Sequence, residues 1–137
     1  MKILPTFCAP IPASVNCRVT PLGNTPLMRF NEVHNSVALI HTGRSGIQHI
    51  NHQVETNDDV LRSFYHLRDQ RLPIFLGTGR HPTSGARFLY FKGPDGMVFE
   101  YSTGVMLIEE EESYRPRQFN FEPDAMCMRG SAENMKL

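Results

Sequence analysis

The sequence predicts an α+β fold in which a strand leads into a helix and then into three further strands, β-α-β-β-β in chain order. Three observations carry that expectation. Thr56-Asn57-Asp58-Asp59 reads as a helix start, with Thr56 placed to cap and an acid three residues later. Val60, Leu61, Phe64 and Leu67 follow at helical spacing. Gly93-Pro94-Asp95-Gly96 separates two short runs rich in aromatic and branched residues, a strong turn signal between strands.

Taken in order, residues 28–41 read as a strand ending at the turn Thr42-Gly43-Arg44-Ser45-Gly46, and residues 47–55 as the strand that opens the β-α-β-β-β unit. In the helix, the acids of the first turn and Arg68 and Arg71 at the far end both complement the helix dipole, and Pro73 stops it. Strands are then expected over 73–76, 87–91 and 97–102. Residues 1–27 carry Pro5, Pro10, Pro12, Pro21 and Pro26, half of the 10 prolines, and are expected to be extended and irregular. From Glu109 the chain turns polar and reads as an arm on a surface. The expected organisation is a Pro-rich lead over 1–27, one module over 28–104 and a C-terminal arm over 105–137.

A chain of 137 residues suits one ordinary domain. Its 14 basic residues balance its 14 acidic ones, which argues against nucleic-acid or membrane-surface partners, since both favour a basic excess. The longest apolar runs, Val37-Ala38-Leu39-Ile40 and Val105-Met106-Leu107-Ile108, fall far short of the roughly 18 residues of a membrane-spanning helix. Prolines interrupt the start of the chain where a signal peptide would be continuous, so a cytoplasmic protein is expected. Cys8, Cys17 and Cys127 lie far apart without C-x-x-C spacing, which fits inert thiols in a reducing compartment rather than a disulfide framework or a zinc site.

Strand alternation sorts the side chains into faces. On 47–55, Ile47, His49, Asn51, Gln53 and Glu55 share one face, and Gln48, Ile50, His52 and Val54 the other. His49 and His52 therefore point oppositely and cannot ligate one ion without a bulge. With Ile50, Val54, Met97, Phe99 and Tyr101 beneath the helix, His49, Glu100 and Tyr90 meet on the opposite side. An imidazole and a carboxylate there would be two of the three ligands of a two-His-one-carboxylate facial triad. Periodicity alone favours a plainer alternative, the solvated side of an antiparallel sheet.

Several of these segments are also familiar. Gly79-Arg80-His81-Pro82-Thr83-Ser84-Gly85, Phe88-Leu89-Tyr90-Phe91, Gly93-Pro94-Asp95-Gly96 and Phe99-Glu100-Tyr101 resemble the C-terminal signature of the type I extradiol catechol dioxygenases, members of the vicinal oxygen chelate superfamily. The segment Ile47-Gln48-His49-Ile50-Asn51-His52 is similar to the family strand that bears the second iron-ligand histidine. Phe30-Asn31-Glu32-Val33-His34-Asn35 looks like the strand before it, and Tyr114-Arg115-Pro116-Arg117-Gln118-Phe119 like the family tail. The likeness spans about 25–131. It implies a vicinal oxygen chelate βαβββ module, complete once, with the last strand of a preceding module.

The resemblance makes His49 and Glu100 iron ligands and Fe(II) the cofactor. It gives Tyr90 a hydrogen bond to a substrate hydroxyl, places His81 beside the bound substrate and leaves His34 as the candidate acid-base residue. The implied activity is extradiol ring cleavage of a catechol-type diol by O₂. Against these roles stand plainer ones: a core aromatic for Tyr90, a solvated loop residue for His81, a structural strand cap for His34.

Two departures qualify the likeness. The family's first iron ligand lies in a preceding module, and no histidine precedes His34 here. Where many relatives carry His-His, this chain has His34-Asn35, and neighbouring residues point oppositely along a strand. Half of the family's cup is thus expected to be missing, which favours self-association into a homo-oligomer. The alternative function is a truncated binding or vestigial module without turnover. A different chemistry on the same scaffold, such as glyoxalase-type isomerisation, is a third.

Overall fold

A computed structural model describes residues 16–20, 23–40, 43–119 and 122–128. In chain order it contains β1 (Asn16–Thr20), β2 (Gly23–Met28), β3 (Val37–Ala38), β4 (His49–Gln53), α1 (Asn57–Asp69), β5 (Ile74–Arg80), β6 (Arg87–Lys92), β7 (Val98–Thr103), β8 (Arg117–Phe119) and α2 (Pro123–Met126). From β4 to β7 the order is the expected β-α-β-β-β.

The capping box that opens α1 forms as its sequence dictates. Thr56 Oγ1 accepts from the Asp59 N–H, while the Asp59 carboxylate accepts from the Thr56 backbone at 2.9 Å. At the other end Leu72 N–H bonds the Leu67 carbonyl (2.9 Å) and Arg71 N–H that of Arg68 (3.0 Å). This is a Schellman closure, with Arg71 in the left-handed position (φ 56°) where glycine is usual.

The helix returns the chain so that β4 and β7 pair in parallel, and β7–β6 and β6–β5 pair antiparallel, in the order β4-β7-β6-β5. Val60 and Leu67 of α1 pack on Leu89 of β6, with Val54, Phe64, Ile74 and Phe91 around them. Complete burial of such side chains contributes about 1.5–3 kcal/mol each. The helix rests on β5, β6 and β7. Beneath it the expected set is only partly realised: Phe91 stacks on Phe99 and meets Tyr101 edge-on, whereas Ile50 of β4 remains 41% exposed.

Several expected bounds shift. The strand expected over 47–55 is confined to His49–Gln53. The one expected over 73–76 runs on to Arg80, with register irregularities between Ile74 and Gly79 that allow two glycines into it. The strand expected over 28–41 divides: Met28 ends β2, residues 29–36 are irregular, and β3 is two residues long.

The lead is not irregular throughout its described part. β1 and β2 form a hairpin inside a second sheet, β3-β2-β1-β8, in which β8 joins β1 in parallel. Pro26 lies inside β2. In an antiparallel strand the N–H and C=O of one residue face the same neighbour. The Pro26 carbonyl accepts from Leu39 N–H (3.2 Å), so its missing donor faces only the end of the short β3. The arm is also better anchored than its polarity suggests. Val33 bridges to Leu107, His34 N–H bonds the Met106 carbonyl (3.0 Å), and Ile108 packs with Leu27 and Tyr114. The expectations for residues 1–15, for Thr42 of the turn and for the chain beyond Met128 lie outside the described residues, as does the side chain of Cys17. Cys127 is a buried thiol in the core with Leu76, Phe88 and Tyr90.

Candidate functional site

The two sheets face each other across a cavity of about 170 Å³. An apolar cavity of about 150 Å³ already accommodates benzene, so this volume suits a single aromatic ring. Thr25, Leu27 and Ala38 line it from the smaller sheet, Leu76, Tyr90 and Glu100 from the larger, and Met126 from α2.

Strand parity brings the polar residues to this side. β4 pairs with β7 so that Asn51 lies opposite Glu100, and β6 with β7 so that Tyr90 does. His49, one pleat from Asn51, projects to the same face. Its Nε2 is 3.2 Å from Glu100 Oε2, its ring meets Tyr90 edge-on at 5.1 Å, and its Nδ1 contacts the Gln48 amide oxygen. Asn51 Nδ2 donates to Ser102 Oγ at 2.9 Å beside them.

His81 enters from the loop after β5. Its backbone is fixed by the bond from His81 N–H to the Ala86 carbonyl (2.9 Å), and Gly85 turns the loop with φ 73°. Its ring stacks on Phe88 at 4.1 Å. Nδ1 donates to the Met126 carbonyl at 2.8 Å, which leaves Nε2 as the lone-pair nitrogen. That nitrogen accepts from the Tyr90 hydroxyl at 3.0 Å and lies 3.5 Å from Glu100 Oε1. Burial is the largest influence on the Glu100 carboxyl and pushes its pKa up, but its contacts with His49 and His81 outweigh it and hold the group below its ordinary range. The carboxylate therefore stays ionised although only 4% exposed.

His49, His81, Tyr90 and Glu100 thus converge on one wall. His52 does not: it lies on the opposite face against Phe99 and Tyr101. Nor does His34, which is fully buried away from the cavity, between Asn35 (3.0 Å) and the Tyr114 hydroxyl (3.4 Å). Its neighbour Asn35 lines the cavity instead. Residue 34 lies in an irregular segment, so the face it takes is set by contacts with the arm rather than by a pleat. Asn51 lies on the face that its parity with His49 predicts, although the expected site gave it no part. Asn35 entered the sequence reading only as the residue standing where many relatives have a second histidine, and Met126 did not enter it; neither has a periodic signal.

An imidazole nitrogen and an ionised carboxylate oxygen are a suitable donor pair for a divalent transition metal. Among the described residues, no group of three His, Cys, Asp or Glu side chains is disposed to hold an ion. The donor set is therefore compatible with such an ion but supplies two protein ligands.

The sequence profile of the Glyoxalase/Bleomycin resistance protein/Dioxygenase superfamily matches residues 20–101. No curated protein sequence matches the chain. Similar solved structures include the Mn(II)-bound glyoxalase from Novosphingobium aromaticivorans, at 24% identity and TM-score 0.70 over 77% of this chain and 35% of that one. Homoprotocatechuate 2,3-dioxygenase from Arthrobacter globiformis gives 18% identity and TM-score 0.73 over 86% of this chain and 38% of its own. The 2,2',3-trihydroxybiphenyl 1,2-dioxygenase from dibenzofuran-degrading Sphingomonas wittichii gives 18% and 0.68 over 79% and 39%. At these identities the likeness is one of fold, and the chain spans between about a third and two fifths of the length of these proteins. No described helix is long and apolar enough to cross a membrane.

Proposed function

The chain belongs to the Glyoxalase/Bleomycin resistance protein/Dioxygenase superfamily, and on that premise we propose that it takes part in Fe(II)-dependent extradiol cleavage of a catechol-type diol. The observation that carries this reading is the 3.2 Å approach of His49 Nε2 to the ionised Glu100 Oε2 in the wall of a ring-sized cavity. His49 and Glu100 would hold the metal. Bound there, ferrous iron supplies the oxygen-activating redox chemistry that side chains lack.

The chain's own residues handle binding and protons. Leu27, Ala38 and Leu76 give the ring an apolar bed that excludes water. Tyr90 Oη lies on the cavity wall and bonds a substrate oxygen. His81, locked by the Met126 carbonyl with a bare Nε2, accepts a hydroxyl proton as the diol ionises. The nearby glyoxalase fold carries Mn(II), so manganese is the metal to compare with iron.

The chain is further proposed to act as a homo-oligomer or as part of a larger chain in the cytoplasm, another polypeptide segment supplying the remaining protein ligand. A second reading has its own support: with two donors among the described residues, the module would bind an aromatic ligand without turnover. Anaerobic reconstitution with Fe(II), then catechol or 2,3-dihydroxybiphenyl under air, separates the two. A yellow ring-opened product is expected. Catechol binding without colour supports the second reading, and neither binding nor colour rules out both.

A further inference from the structure

His49, His81, Tyr90 and Glu100 share one wall of the cavity, and Asn35 lines it from the segment that leads into β3. Asn35 lines the cavity, yet its carboxamide oxygen is turned inward, 3.0 Å from Nδ1 of His34. An amide oxygen only accepts, so the proton between them sits on Nδ1. His34 is fully buried, and burial, with the Arg29 charge, lowers its pKa against the opposing hydrogen bond to Asn35, so the ring is kept neutral. A neutral imidazole protonated at Nδ1 presents a lone pair at Nε2, and the Tyr114 hydroxyl lies 3.4 Å from it. Tyr114 belongs to the arm, packed against Leu27 and Ile108. The amide oxygen is tied inward, so the NH₂ end of Asn35 is the one left to donate.

We propose that Asn35 is a ligand-binding residue of this cavity, a fixed hydrogen-bond donor for an anionic or carbonyl oxygen of the bound molecule, and that His34 positions it. An amide has no proton to surrender in this range, so residue 35 recognises an oxygen and does not relay a proton. Proton transfer then belongs to His81. The inference rests on the catechol-binding reading above for the identity of its probe.

The test is an anaerobic titration of the full Fe(II)-loaded chain with catechol, read by calorimetry. Asn35→Leu is expected to weaken binding about tenfold, the loss of one hydrogen bond to a charged oxygen. His34→Phe should cost the same factor. The double variant should be no weaker than Asn35→Leu alone, because the two act as one unit. A merely structural role for His34 would make the losses multiply. His34→Gln, which keeps a donor toward Asn35, should restore most of the affinity. Wild-type binding with Asn35→Leu unchanged overturns this inference alone, whereas wild-type failure to bind catechol overturns it together with the ring-cleavage reading. Should His34→Phe not fold, a long-range ¹H–¹⁵N spectrum of the unmodified chain decides the positioning role. A proton on Nδ1 of His34 supports it, and an Nε2-protonated ring overturns it.

Discussion

His49 and His52 are three residues apart on one strand and share no chemistry, because the pleat sends them to opposite sides of the sheet. His49 meets Glu100 at 3.2 Å, while His52 packs on Phe99 and Tyr101. Glu100→Ala should therefore lower Fe(II) affinity at least about 100-fold, beyond what losing an outer partner of a metal ligand costs. His52→Ala should leave it nearly unchanged. Equilibrium dialysis with metal analysis measures both, and equal losses would refute the assignment of faces. This part of the site was legible because alternation is rigid: once the strand bounds are roughly right, His49, Tyr90 and Glu100 follow. His34 and Asn35 were not, since residues 29–36 have no period to read. Their orientation comes from the arm, through Tyr114 and the Met106 carbonyl. His81 came from the resemblance of its loop, and nothing in the sequence foretold that Met126 would fix its tautomer.

At the level of elements, α1 was the most legible feature, and the reason is local. Thr56 and Asp59 satisfy each other's backbone donors without help from the rest of the fold. Its far end shows the opposite case, a position where the sequence works against the geometry. Arg71 occupies a left-handed conformation (φ 56°) that carries a steric cost for any residue with a Cβ. Arg71→Gly should relieve it and raise unfolding free energy by about 0.5–1 kcal/mol, net of the greater flexibility of glycine when unfolded. Urea denaturation at constant slope checks this, and a loss of stability would mean that the Arg71 side chain contributes more than its backbone costs. The strands were harder. β2 escaped notice because Pro26 reads as a breaker, and proline is tolerated there only because its neighbour on that side, β3, is so short. The smaller sheet joins segments from both ends of the described chain, β1 with β8, a pairing that no local pattern announces.

For the whole molecule, the proposed metal site has two donors on one wall, His49 and Glu100, and the described residues offer no third. On that reading two donors leave a divalent ion mostly hydrated and loosely held, and firm retention calls for a ligand from beyond the described residues. β4 is one of the two outer strands of the larger sheet, and Ile50 on it and Ile47 just before it are 41% and 68% exposed. Such an edge offers unpaired backbone groups and apolar surface together. If a second copy completes the site, metal occupancy is coupled to association by mass action and must fall on dilution together with oligomer mass. Sedimentation velocity and metal content, followed across a hundredfold dilution, should decline together, with Ile50→Lys shifting both curves to higher protein concentration. Metal held by a monomer at every concentration would show instead that this chain closes the coordination sphere by itself, and the requirement for an outside ligand would be wrong.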